Sequence, residues 1–192
     1  MSIYKYIRES WNRPTDELKK LWKERLIQWR SEPVTLRIDV PTRLDRARSV
    51  GYKAKAGYII VRQRVNRGGH TRPGRHGQGR KPKNYRSYMA LNKNYQQICE
   101  ERAQKYFPNL VVLNSYSVAQ DGMRAWYEII LVDPQSPTIK ADSNINWICS
   151  PASRSRVFHG KTAAGRRSRG LRWRGKGVEK ARPSRRAHSR HQ

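Results

Sequence analysis

The chain has 192 residues and a formal net charge of +28, from 42 Lys and Arg against 14 Asp and Glu. That length suits one domain with or without extensions, and a hydrophobic fraction of 36% implies a core smaller than the length suggests. Two cysteines, Cys99 and Cys149, with no CxxC pair or Cys/His ligand spacing, argue against a disulfide scaffold or a zinc site, and the absence of any long apolar run argues against a signal peptide, a membrane span or a membrane partner.

In chain order, residues 2–12 are predicted helical, with Ile3, Tyr6, Ile7 and Trp11 near one face. Pro14 breaks this segment, and Thr15, Asp16 and Glu17 open a second helix whose stripe is Leu18, Leu21, Trp22, Leu26 and Trp29. Both helices are expected to cover a core. Val34 to Val40 alternates like a short strand until Pro41 cuts it off. Gly57 to Val65 is a clearer strand: its apolar run Tyr58 to Val61 should be buried, with Arg62 and Arg64 carried on an exposed face.

Residues 66–86 have almost no aliphatic side chain and too many Gly and Pro for helix or strand, so they read as a long basic loop that needs a partner. Ser87 is a candidate cap for a helix with the stripe Leu91, Tyr95, Ile98, Arg102 and Tyr106, ended by Phe107-Pro108. Leu110 to Val118 and Ala125 to Val132 read as a hairpin around Asp121-Gly122. The fold class is α+β: a small β-α-β-β core with N-terminal helices, a long basic loop and a C-terminal extension. Residues 1–149 form the body, with the 66–86 loop inserted, and residues 150–192 the extension.

The charge surplus is concentrated. Residues 46–99 hold 14 Lys/Arg and no acid, residues 150–192 hold 14 Lys/Arg and one acid, Glu179, and the remainder is nearly neutral. Only a dense polyanion neutralises such segments at short range, and nucleic acid is the abundant one. Arginine dominates the second block and is interleaved with Phe158 and Trp173, a combination that suits phosphate forks and base stacking in structured RNA. The candidate RNA-binding residues are Arg46, Arg48, Lys53, Lys55, Arg62, Arg64, Arg67, His70, Arg72, Arg75, His76, Arg80, Lys81, Lys83 and Arg86 in the first block. In the second they are Arg154, Arg156, His159, Lys161, Arg166, Arg167, Arg169, Arg172, Trp173, Arg174 and Lys176.

No catalytic constellation accompanies them. The five histidines lie in the basic segments, away from the acids that a hydrolase triad would need, and the scattered carboxylates do not suggest a metal-dependent nuclease. The glycines match neither a P-loop nor a dinucleotide fingerprint; their expected use is to let backbone run close to sugar-phosphate. No catalytic residue, metal or cofactor is assigned. A structural RNA binder leads, a chromatin- or antisense-type nucleic-acid binder is the alternative, and an RNA-modifying enzyme is the weakest of the three.

Residues 41–69, PTRLDRARSVGYKAKAGYIIVRQRVNRGG, resemble the signature of the archaeal and eukaryotic ribosomal protein family L-fifteen-e. YKYIRESW at 4–11, LNSY at 113–116 and HGKTAAGRRSRGLR at 159–172 add to the resemblance, which spans essentially the whole chain. The Arg-rich stretch after Leu171 is closer to an archaeal member. The resemblance implies a cytoplasmic component of the large ribosomal subunit that binds large-subunit rRNA and neighbouring ribosomal proteins. It implies no catalysis, no membrane and no homo-oligomer.

Overall fold

A computed structural model describes residues 2–71, 88–89, 91–175 and 177–182. Helix α1 (Ile3–Asn12) starts where the Ser2 hydroxyl accepts the Tyr4 N–H, and α2 (Asp16–Ser31) where Thr15 accepts the Leu18 N–H. The two helices differ in what they bury. α2 places Trp29 in the core at 6% exposure, whereas α1 buries no residue and is joined to α2 by Trp11 stacked on Trp22 with centroids 4.5 Å apart. Of the two apolar stripes, only the C-terminal end of α2 reaches the core, through Trp29 and the half-buried Leu26, and Leu21 is exposed.

Strands β1 (Thr35–Ile38), β2 (Tyr58–Asn66), β5 (Val111–Gln120) and β6 (Arg124–Val132) form one antiparallel sheet in the order β1-β2-β6-β5. Between β1 and β2 lies a short helix, α3 (Leu44–Ser49). The β5–β6 hairpin turns at Asp121, whose Oδ1 accepts the N–H groups of Met123 and Arg124 at 2.8 and 2.6 Å. Helix α4 (Tyr95–Tyr106) connects β2 to the hairpin. Its cap is Asn94, which accepts the Gln97 N–H at 2.8 Å, so the helix starts well after Ser87, which itself lies outside the described residues. Leu91 precedes the helix and Tyr106 is exposed; the buried face is Cys99 and Ala103 with the polar Gln97, Glu100 and Gln104.

Both faces of the sheet are covered, because side chains alternate along each strand. Val61, Val65, Ile129 and Leu131 pack with α4 through Cys99 and Ala103. Ile60, Trp126, Ile130 and Tyr116 pack with Trp29 of α2 and Ala47 of α3. A third cluster of Val111, Val132, Ile139, Ile145 and Ile148 closes one end, using α5 (Pro137–Lys140) and the 3-10 turn Asn146–Cys149. Gly57 (φ +91°) is required beside it: a Cβ there would lie 2.6 Å from Ile139 Cγ1.

The break expected at residue 150 does not separate body from extension. Val157 is fully buried in the α4 cluster, and α6 (Ala163–Ser168) buries Ala164. The sparse apolar residues of this stretch are spent on the core, and its polar ones supply the remaining ties. Thr162 donates to Glu100 Oε2 at 2.5 Å and caps α6 through the Gly165 N–H. The glycines also pack on protein: a Cβ on Gly165 would meet Gly160 Cα at 2.5 Å, so the two backbones need glycine to touch. β3 (His70–Thr71), inside the 66–86 segment, pairs with β4 (Tyr88–Met89) just after it, a two-stranded ladder that the Gly/Pro content did not suggest.

Candidate nucleic-acid interface

The sheet decides which arginines can reach a partner. Ile60, Arg62 and Arg64 share the face of β2 that lies beneath α2. Arg62 is therefore 9% exposed: its Nη2 meets Glu32 Oε2 at 2.5 Å, and its guanidinium lies 4.3 Å from the centroid of a Trp29 ring. Arg64 donates to the carbonyls of Arg30 at 2.7 Å and Trp29 at 3.4 Å. The exposed arginine face expected for this strand is thus covered by the C-terminal end of α2, which buries Arg62 and ties the half-buried Arg64 to its last carbonyls. Arg156 is also turned inward. Its Nη1 donates to the carbonyls of Val112 and Leu113 at 2.8 and 2.6 Å, and its guanidinium lies over Trp147.

Lys53 and Lys55 both contact Asp142 Oδ2, at 3.0 and 2.5 Å. Their hydrogen bonds, with those from Asn144, hold the Asp142 carboxyl well below the usual carboxylate range. Arg67 is exposed but donates to the Asp121 carbonyl.

The remaining described candidates face outward: Arg46, Arg48, His70, Arg154, His159, Lys161, Arg166, Arg167, Arg169, Arg172, Trp173 and Arg174 are all exposed. Four converge. Arg46 of α3, Arg166 and Arg167 of α6, and Arg172 line one open groove of about 430 Å³, floored by Gln96, Asn114 and Ser115. Among the described residues, the side chains of Arg46, Arg166 and Arg167 meet no carboxylate and no hydrogen-bond acceptor, and Arg172 stacks only on the neighbouring Trp173, 5.0 Å from its ring centroid. Arg72, Arg75, His76, Arg80, Lys81, Lys83, Arg86 and Lys176 lie outside the described residues.

What sequence reasoning missed is the set of carboxylates beneath this surface. Glu100, fully buried, accepts from Ser115 Oγ and Thr162 Oγ1, each at 2.5 Å. That pair of bonds ties α4 to β5 and to the start of α6, so it sets the wall of the groove. Glu128, also fully buried, accepts from Tyr116 at 2.5 Å and from the Thr42 N–H at 3.1 Å, tying β6 to the segment that leads into α3. Burial raises the pKa of both acids above the usual carboxylate value, and of Tyr116 above the usual phenol value. Nothing in the linear sequence marks these acids, because their donors come from up to 86 residues away.

Among the described residues, no group of His, Cys, Asp or Glu is arranged to hold a metal ion, and no helix is long and apolar enough to cross a membrane. The groove instead offers unpaired guanidinium groups and amides, the chemistry that pairs with phosphate oxygens and sugar edges. A family model described as Ribosomal L15 matches residues 2–188. That span takes in the sheet, both N-terminal helices and the groove. The chain therefore belongs to the ribosomal protein family L-fifteen-e, and it is a structural protein of the large subunit of the cytoplasmic ribosome.

Proposed function

We propose that this protein binds and stabilises large-subunit rRNA, acting as a single structural copy without catalysis, and that it seats the RNA backbone in the Arg46/Arg166/Arg167/Arg172 groove. The observation that carries this reading is that four arginines from two distant stretches of the chain line one concavity in which, among the described residues, none of them is ion-paired with a carboxylate. Folding places like charges together here, and phosphate is the counter-charge that offsets the repulsion. Arg48, Arg154, Lys161, Arg169 and Arg174 are also exposed and available to RNA phosphates. Arg62, Arg64 and Arg156 serve the reading indirectly, by holding the scaffold.

The test is a salt titration of the full chain on transcribed large-subunit rRNA. Each neutralised phosphate contributes about −0.7 to −0.9 to the slope of log K against log salt. Engagement of the groove alone predicts a slope of about −3 or steeper. A slope near zero would remove phosphate contact from the account.

A further inference from the structure

Beside the arginine groove lies a second concavity of about 460 Å³, sharing Leu171 with it. Its character is different. Phe158 and Leu91, 45% and 46% exposed, line it with Leu171 and belong to none of the three core clusters. Lys93, paired with Glu101 at 2.9 Å, lines it with His159 and the exposed Arg169, whose guanidinium meets no carboxylate among the described residues. Gln97 forms part of the wall. It is 7% exposed, its Nε2 donates to Glu101 Oε1 at 3.1 Å, and its buried Oε1 has no hydrogen-bond partner.

We infer that this concavity receives one unstacked RNA nucleotide, its base against Phe158 and its phosphate toward Arg169. Three features favour that occupant. A flat apolar surface with an aromatic ring suits the π-face of a base, and proteins that bind unpaired RNA use aromatic side chains in this way. The Arg169 guanidinium beside an apolar surface suits an occupant that is apolar at one end and anionic at the other, which a nucleotide is. The acceptor of Gln97 lacks a donor, and base edges carry N–H donors. Continuity supplies the path: a backbone lying in the arginine groove passes Leu171 and can turn a base into the neighbouring concavity.

This inference rests on the rRNA-binding reading, and its test separates the two. The full chain and its Phe158→Ala, Phe158→Leu and Phe158→Trp variants are titrated on transcribed large-subunit rRNA at several salt concentrations, and their melting is recorded without RNA. Loss of one base stack weakens binding about 5- to 150-fold. Phe158→Ala and Phe158→Leu should both show that loss with an unchanged salt slope and unchanged melting, and Phe158→Trp should retain affinity. Native binding with a steep salt slope, combined with native affinity in Phe158→Ala, would overturn the nucleotide pocket and leave the groove standing. Affinity retained by Phe158→Leu would overturn stacking. A lowered melting temperature with unchanged affinity would assign Phe158 to protein packing and also overturn it. No RNA binding by the native chain would remove both readings.

Discussion

Two sets of arginines, drawn from the same basic blocks, end in opposite environments. Arg62, Arg64 and Arg156 point inward, onto Glu32, backbone carbonyls and indole rings. Arg46, Arg166, Arg167 and Arg172 point outward into a groove without acids. Composition treats the two sets alike. The difference comes from what covers each: α2 lies over the β2 face that carries Arg62 and Arg64, and no described element closes the groove between α3 and α6. Net charge therefore overstates the charge available to a partner. Part of the cationic surplus is structural, and four of the exposed arginines converge on one groove.

The comparison can be broken most forcefully at the frame that turns Arg62 inward. Trp126 is 1% exposed and packs against Trp29 with ring centroids 6.2 Å apart. Trp126→Ala should cost about 3–5 kcal/mol of stability in denaturant unfolding. A cost within ~1 kcal/mol would mean that the α2–sheet contact does not hold this region together. Next come the inward arginines. Arg156→Ala leaves the Val112 and Leu113 carbonyls without this donor and should cost about 1–3 kcal/mol, as should Arg62→Ala, which leaves Glu32 unpaired. Melting of each variant checks this.

The smallest effect is one of pH. Glu100 and Glu128 keep their protons to higher pH in the folded chain than in the unfolded one, where a Glu titrates near ~4.3. The folded state thus binds more protons in that window, and stability falls as pH rises above ~4.3. Glu100→Gln and Glu128→Gln should flatten that fall in melting temperature measured from pH 4 to 8. Asp142 has the opposite sign: its depressed pKa gives stability that is full above the unfolded value near ~3.9 and is lost as pH falls below it. Asp142→Asn should therefore leave the Glu-dependent fall intact and change only the acid limb.

Local signals were legible in the sequence where the physics is local. Thr15 and the acids after it started α2, the alternation from Val34 marked the first strand although it ends at Ile38 short of Pro41, and Asp121-Gly122 turned the hairpin. Tertiary choices were not. The helical stripe through Leu91 and Tyr106 missed that α4 buries polar Glu100 and Gln104 instead, since their hydroxyl and backbone partners are visible only after folding. The strand at Arg62 looked half-exposed because alternation cannot say whether a helix will cover the second face. Residues 150–171 looked like a tail because one Val157 and one Ala164 are too few to register as a core pattern. Yet Arg156, Thr162 and the Gly160–Gly165 contact fasten them to the body. Of the interface, the residue types were legible and their convergence was not. Arg46 and Arg166 are far apart in sequence and meet only through the packing of α3 and α6 about β5.

The most direct measurement compares the two arginine sets in one assay. Arg166→Gln/Arg167→Gln/Arg172→Gln and, separately, Arg62→Gln/Arg156→Gln are titrated on transcribed large-subunit rRNA against salt, with melting recorded for each. The account predicts that the groove triple variant loses about 2–3 units of salt slope and melts within ~0.5 kcal/mol of the native chain. The inward pair should melt early and, below its melting transition, keep the native slope. An unchanged slope in the groove variant, or a slope lost only with Arg62 and Arg156, would contradict the division between structural and RNA-facing arginines.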